Sequence, residues 1–98
     1  MNWPEQNAQD GRLVILKELA VQVDGRLNEV SLQRVLKAFA ITRSRDWVRT
    51  QLRALSELGA VRVTEAGTVM IAQITTLGRN HVERTEIVEG VTRPGDDA

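Results

Sequence analysis

The sequence predicts a small α+β domain, mainly helical with one β-hairpin, in which three helices, the hairpin and a fourth helix follow one another. Three observations carry this. Apolar residues recur at helical spacing in four stretches, the period drops to two between residues 60 and 74, and Gly, Asn, Asp, Ser and Thr stand where the stretches begin and end. With 98 residues and 42% apolar content, the chain suits one domain with one modest core.

Residues 1–9 are polar around Trp3-Pro4 and read as a flexible lead-in, with Trp3 placed to dock on a second subunit. Asp10 stands as N-cap of a first helix over Gly11–Val23, whose inward face is Leu13, Leu16, Leu19, Ala20 and Val23. Asp24-Gly25 stops it. Asn28 caps a second helix over Glu29–Ala40, with Leu32, Val35, Leu36 and Phe39 facing inward. After the break at Thr42-Arg43, Ser44 caps a third helix that buries Val48, Leu52, Leu55 and Leu58. Asp46 complements its dipole, and Gly59 closes it. Ala60–Thr64 and Thr68–Ile74, rich in β-branched residues, form a hairpin across Glu65-Ala66-Gly67. Thr75 caps a fourth helix over Thr76–Ile87. The domain therefore spans 10–88, and the acidic tail 89–98 is expected to be extended or disordered.

Thirteen basic residues balance thirteen acidic ones, which excludes a strongly basic nucleic-acid coat and a polybasic membrane binder. Without cysteine there are no disulfides, thiolate metal sites or Cys nucleophiles. No apolar run reaches the ~18 residues of a membrane span and no signal-peptide pattern opens the chain, so a cytoplasmic, soluble protein is expected. His81 is the single histidine. Glu83, two positions on, faces away from it on a helix, so a metal site is not expected and His81 reads as a surface residue. Ser31, Ser44 and Ser56 have no partner base near them in sequence and no phosphate loop is present, so neither an enzyme nor a cofactor is expected.

The order helix, helix, helix, hairpin, helix is that of a winged helix-turn-helix. The stretch from Ser44 to Val61, with its capped helix, Leu52, Leu55, Leu58, Gly59 and Val61, resembles the recognition helix of bacterial ArsR- and MarR-type winged-helix regulators. Ile74-Thr75-Thr76-Leu77-Gly78-Arg79 is similar to the segment that leaves the wing in those proteins. A closer resemblance, covering nearly all of the chain from Arg12 on, is to the small ArsR-like proteins of Mu-like bacteriophages and prophages. It rests on Arg12-Leu13-Val14-Ile15-Leu16, Ser31-Leu32-Gln33, Ser44-Arg45-Asp46, Val48-Arg49-Thr50, Thr75 with Gly78, and Arg93-Pro94. The resemblance implies a transcriptional regulator that places its third helix in the DNA major groove. ArsR-type metal sensing through Cys and His clusters is not expected here.

Residues 43–53 hold four Arg against one Asp, a local excess of +3 in a neutral chain. With the core line on Val48, Leu52 and Leu55, the opposite face carries Asp46, Thr50, Arg53 and Glu57, flanked by Arg49 and Trp47. Arg43, Ser44 and Arg45 stand at the helix start. Arginine pairs with phosphate and reads guanine bidentately, so Arg43, Ser44, Arg45, Trp47, Arg49, Thr50 and Arg53 are the candidate contacts to double-stranded DNA. Trp47 also suits packing against a neighbouring helix. In the hairpin, Arg62, Thr64 and Thr68 are further candidates, whereas Glu65 repels phosphate. Surplus apolar residues on the first helix (Val14, Ile15, Leu19) and the fourth (Leu77, Val82, Ile87) suit either a homodimer interface or packing within the chain. The competing reading is a protein-interaction module in phage assembly or DNA packaging, favoured by the neutral charge, Glu65 and the acidic tail.

Overall fold

Helix formation begins earlier than the cap at Asp10 implies. In the computed structural model, which describes residues 3–95, helix α1 runs over Trp3–Val21. Pro4 is tolerated because the first turn of a helix has no intrahelical use for its N–H. The segment expected as a lead-in is therefore helical and packs, with Ala8 buried. Asp10 lies inside the helix, where its carboxylate accepts a hydrogen bond from the Thr92 hydroxyl. Trp3 is 64% exposed. Met1, Asn2 and the acidic end Asp96–Ala98 lie outside the described residues.

Strand β1 (Arg26–Asn28) follows, then α2 (Glu29–Ala38), α3 (Arg45–Glu57), β2 (Val61–Ala66), β3 (Val69–Ile74) and α4 (Thr76–Val82). The result is a mixed α+β domain: four helices and a three-stranded antiparallel sheet in the order β1-β3-β2. Leu27 of β1 and Val63 of β2 both pair with Ala72 of β3. The hairpin turns on the two residues Gly67-Thr68 rather than on the expected three, Glu65 and Ala66 being part of β2, with Gly67 at φ 62°, the left-handed conformation that two-residue loops need.

The caps at Asn28, Ser44 and Thr75 are all made, each side chain accepting from the backbone N–H three residues on. Helices α2, α3 and α4 end alike. The two residues past the C-cap donate back into the last turn: Ala40 to Lys37 and Ile41 to Leu36, Gly59 to Ser56 and Ala60 to Leu55, Arg84 to His81 and Thr85 to Asn80. This Schellman arrangement places Ala40, Gly59 and Arg84 at φ 64°, 83° and 65°. Helices α2 and α4 thus stop short of the expected Ala40 and Ile87.

The core comprises Ile15, Leu16 and Leu19 of α1, Leu32 and Leu36 of α2, Val48, Leu52 and Leu55 of α3, Ala60, Val61, Met70, Ala72 and Ile74 around the sheet, and Val88 and Val91 beyond α4. Val23 and Phe39, expected inside, are exposed because the chain has left each helix before it reaches them. Ile15 and Leu19 are fully buried, and Val14, Leu77 and Val82 pack against the same core. The surplus apolar residues of the first and fourth helices are therefore largely used within the chain, with Ile87 left exposed.

Residues 88–92, most of them in the segment expected to be extended or disordered, form a strap fastened to the domain. Val88 and Val91 are buried, Arg12 donates to the Gly90 carbonyl at 2.8 Å, and the Thr92 N–H donates to the Gln9 carbonyl at 3.2 Å. His81 is 1% exposed, a correction to its reading as a surface residue. Its Nδ1 accepts from the Val88 N–H at 3.0 Å and its Nε2 meets the Thr92 carbonyl at 2.9 Å, which fixes the neutral Nε2–H tautomer.

Candidate nucleic-acid interface

Helix α3 buries Val48, Leu52 and Leu55 completely and leaves three other edges, set by the 100° step between residues. Toward α1 lie Trp47 and Gln51: the Trp47 ring closes on Gly11, and the Gln51 carbonyl accepts from Arg12 Nε at 2.8 Å. Trp47 is thus a packing residue first. On the outer edge Asp46, Thr50, Arg53 and Glu57 are exposed. The Thr50 hydroxyl donates to the Asp46 carbonyl one turn back at 3.0 Å.

The third edge, toward the hairpin, carries Arg45 and Arg49. Both meet Glu29, the first residue of α2, which is completely buried. Arg45 donates to Glu29 Oε1 from Nε at 3.0 Å and from Nη2 at 2.6 Å. Arg49 Nε stands 3.2 Å from Glu29 Oε2 without a hydrogen bond in line, and its Nη2 reaches Glu65 Oε1 at 3.4 Å. The Met70 N–H of β3 donates to Glu29 Oε2 at 2.8 Å. One buried carboxylate therefore joins α2, α3 and the hairpin. Burial works to raise its pKa. The Met70 amide, the Arg45 hydrogen bond and the charges of Arg49 and Arg45 together outweigh this, and the carboxyl titrates below its ordinary range.

Glu29, Arg45, Asp46, Arg49 and Thr68 line an open cleft between α3 and the hairpin tip. The structure thus brings together Arg45, Arg49 and Thr68 of the expected contacts. Thr64 is exposed on β2 and does not line this cleft; it alternates with Glu65, whose side chain reaches Arg49 from the other face of the strand. Arg62 lies elsewhere, at the root of the hairpin in a cleft with Gly59, Gln73 and the start of α4. Ser44 spends its hydroxyl oxygen on the Trp47 N–H as the N-cap. Arg43 lies over the Trp47 ring, 5.6 Å from its centroid, and Arg53 projects from the outer edge.

The +3 excess of residues 43–53 is accordingly not a positive band. Glu29 and Glu65 pair with two of its four arginines, and among the described residues Arg43 and Arg53 form no salt bridge. Sequence reasoning missed Glu29, which reads as an ordinary first-turn acid; the i, i+4 spacing of Arg45 and Arg49 was the one local sign that a shared partner faces that edge. Among the described residues no group of three or more His, Cys, Asp or Glu stands close enough to hold a metal ion, and no helix is long and apolar enough to cross a membrane.

The chain is 36% identical over 86 residues to "Uncharacterized protein gp26" of Escherichia phage Mu, a match covering 88% of this chain and 88% of that protein. No protein-family model matches the chain, and no solved structure matches it.

Proposed function

The chain belongs to the family of that phage Mu protein, and from this premise we propose that it is a DNA-binding winged-helix protein, a phage or prophage transcriptional regulator that acts by occupying a site with α3 in the major groove. The observation that carries the reading is the outer edge of α3, open to solvent from Asp46 to Glu57 and flanked by a hairpin that Glu29 fastens to the same helix. A helix of about 10–12 Å diameter fits a major groove about 12 Å wide. The order α1-β1-α2-α3-β2-β3-α4, with β1 on the far side of β3 from β2, supports the winged-helix part.

In this reading Arg53 and Thr50 face base edges and Arg43 meets a phosphate. Arg45 and Arg49, held by Glu29, contribute orientation rather than net charge, and Thr64 and Thr68 offer hydroxyls from the hairpin. Affinity is then modest, and a second copy or a correct site is needed to make it tight. Fluorescence anisotropy of a labelled duplex, titrated at several salt concentrations, tests the proposal. Binding is expected to weaken as salt rises, and Arg53→Ala to weaken it further. Absence of binding at low salt, where phosphate contacts are strongest, would refute it.

A second reading is favoured by the same carboxylates. With Arg45 and Arg49 neutralised and Asp46 and Glu57 on the outer edge, α3 presents mixed charge suited to a protein partner in assembly or packaging. It predicts a partner that requires the α3 outer edge and no duplex affinity at any salt.

A further inference from the structure

We propose that a second basic surface, the groove between the outer face of α2 and the α2–α3 turn, takes the phosphodiester backbone of the DNA strand that runs past α3. The inference rests on the DNA-binding reading above and extends it to residues outside α3.

The groove is lined by Val30, Gln33, Arg34, Lys37, Thr42 and Arg43. Its three charged residues are all cations, and none of them forms a salt bridge among the described residues. This sets it apart from the hairpin side of α3, where each arginine meets a carboxylate. The groove is also preformed. Gln33 Nε2 donates to the Arg43 carbonyl at 2.9 Å, tying the turn to α2, and the Arg43 guanidinium rests on Trp47, itself seated on Gly11. Arg34 and Lys37 stand one helical turn apart on the same face, and Arg43 directly precedes the N-cap of α3. The cations thus form a line that ends at the N-terminal turn of α3, the helix that enters the groove in the proposed function. A line of unpaired cations continuous with α3 fits a run of phosphates better than it fits an acidic peptide bound apart from α3.

The test is anisotropy with a fluorescein-labelled 20-base-pair duplex across a potassium chloride series. It compares the wild-type chain, Arg34→Gln/Lys37→Gln, and a charge-matched control, Lys17→Gln/Arg26→Gln, whose residues are exposed and lie outside the groove. Phosphate contacts by Arg34, Lys37 and Arg43 give a slope of log K against log salt of about −2.7, and loss of the first two brings it to about −0.9. From 50 to 200 mM salt the affinity then falls about 40-fold for wild type and about 3.5-fold for the groove variant. The control is expected to keep the wild-type slope. Wild-type binding with a slope unchanged in the groove variant, or changed equally in the control, overturns the groove while leaving the DNA-binding reading intact. Absence of wild-type binding overturns both, and groove-dependent binding of polyglutamate in its place would assign the surface to an acidic protein.

Discussion

Replacing Glu29 by Gln removes one negative charge from a fully buried position that serves three elements at once. Gln keeps one oxygen, enough for the Met70 amide or for one Arg45 N–H, but neither guanidinium retains its counter-charge. Truncating one side of a fully buried ion pair costs about 3–5 kcal/mol. Here the Arg45 and Arg49 side chains are 47% and 26% exposed, so water takes up part of the loss. Arg49 also keeps Glu65. About 2 kcal/mol is therefore expected for Glu29→Gln. Glu29→Ala also orphans the Met70 N–H, whose desolvation adds about 1 kcal/mol or more. Urea unfolding followed by circular dichroism reads both. At a slope of about 1.5 kcal/mol/M, the Gln variant unfolds about 1.3 M earlier and the Ala variant earlier still. The reasoning is refuted if Glu29→Gln shifts stability by less than about 0.5 kcal/mol, or if a double-mutant cycle with Arg45→Gln gives strict additivity, since groups in one network should couple by at least that much.

The same carboxylate sets an acid limit. Its folded pKa is depressed, so the stability it contributes is fully present above the ordinary glutamate value of 4.5 and is lost as pH falls through the lower folded value; urea midpoints should drop below about pH 4.5 more steeply in wild type than in Glu29→Gln. Ala40, exposed and at φ 64°, bears a Cβ in a conformation that disfavours one; Ala40→Gly should stabilise by about 0.5–1 kcal/mol, read as a rise of about 3–6 °C in Tm, and a fall would contradict the Schellman account. At Gly78 a Cβ would collide with the Ala60 carbonyl oxygen and stand 2.8 Å from Ile74 Cγ1, so Gly78→Ala should cost about 2 kcal/mol despite its better helix propensity, measured by the same urea titration.

Much of the fold was legible because its signals are local. Ser44, Asn28 and Thr75 cap the helices they precede, Gly59 ends α3 where a glycine is expected, and the hairpin follows from the change of period. Two helix ends were illegible because Ala40 and Arg84 occupy the left-handed position that Gly59 occupies in α3, and neither residue type announces it. Strand β1, three residues long, is too short to show a period and exists through its pairing with β3. At the candidate site, the arginines and the edges of α3 were legible from helical spacing. Their neutralisation was not, since Glu29 and Glu65 reach Arg49 from twenty and sixteen residues away in sequence. His81 was misread for a related reason: its burial depends on Val88 and Thr92, beyond the end of its helix.

The strap carries a consequence for how the molecule opens. Its ties to α1, Thr92 to Gln9 and Asp10 and Gly90 to Arg12, close loops of about eighty residues, and such closures are entropically the most demanding to make. The strap is therefore expected to release first, as the less protected edge of the core that Val88 and Val91 close. Amide exchange at Val88 and Thr92 should then run ahead of that at Leu52 and Ala72. A chain cut before Val88 would take Val88 and Val91 out of the core and leave both ring nitrogens of buried His81 without their partners, so it should lower the stability of the whole domain.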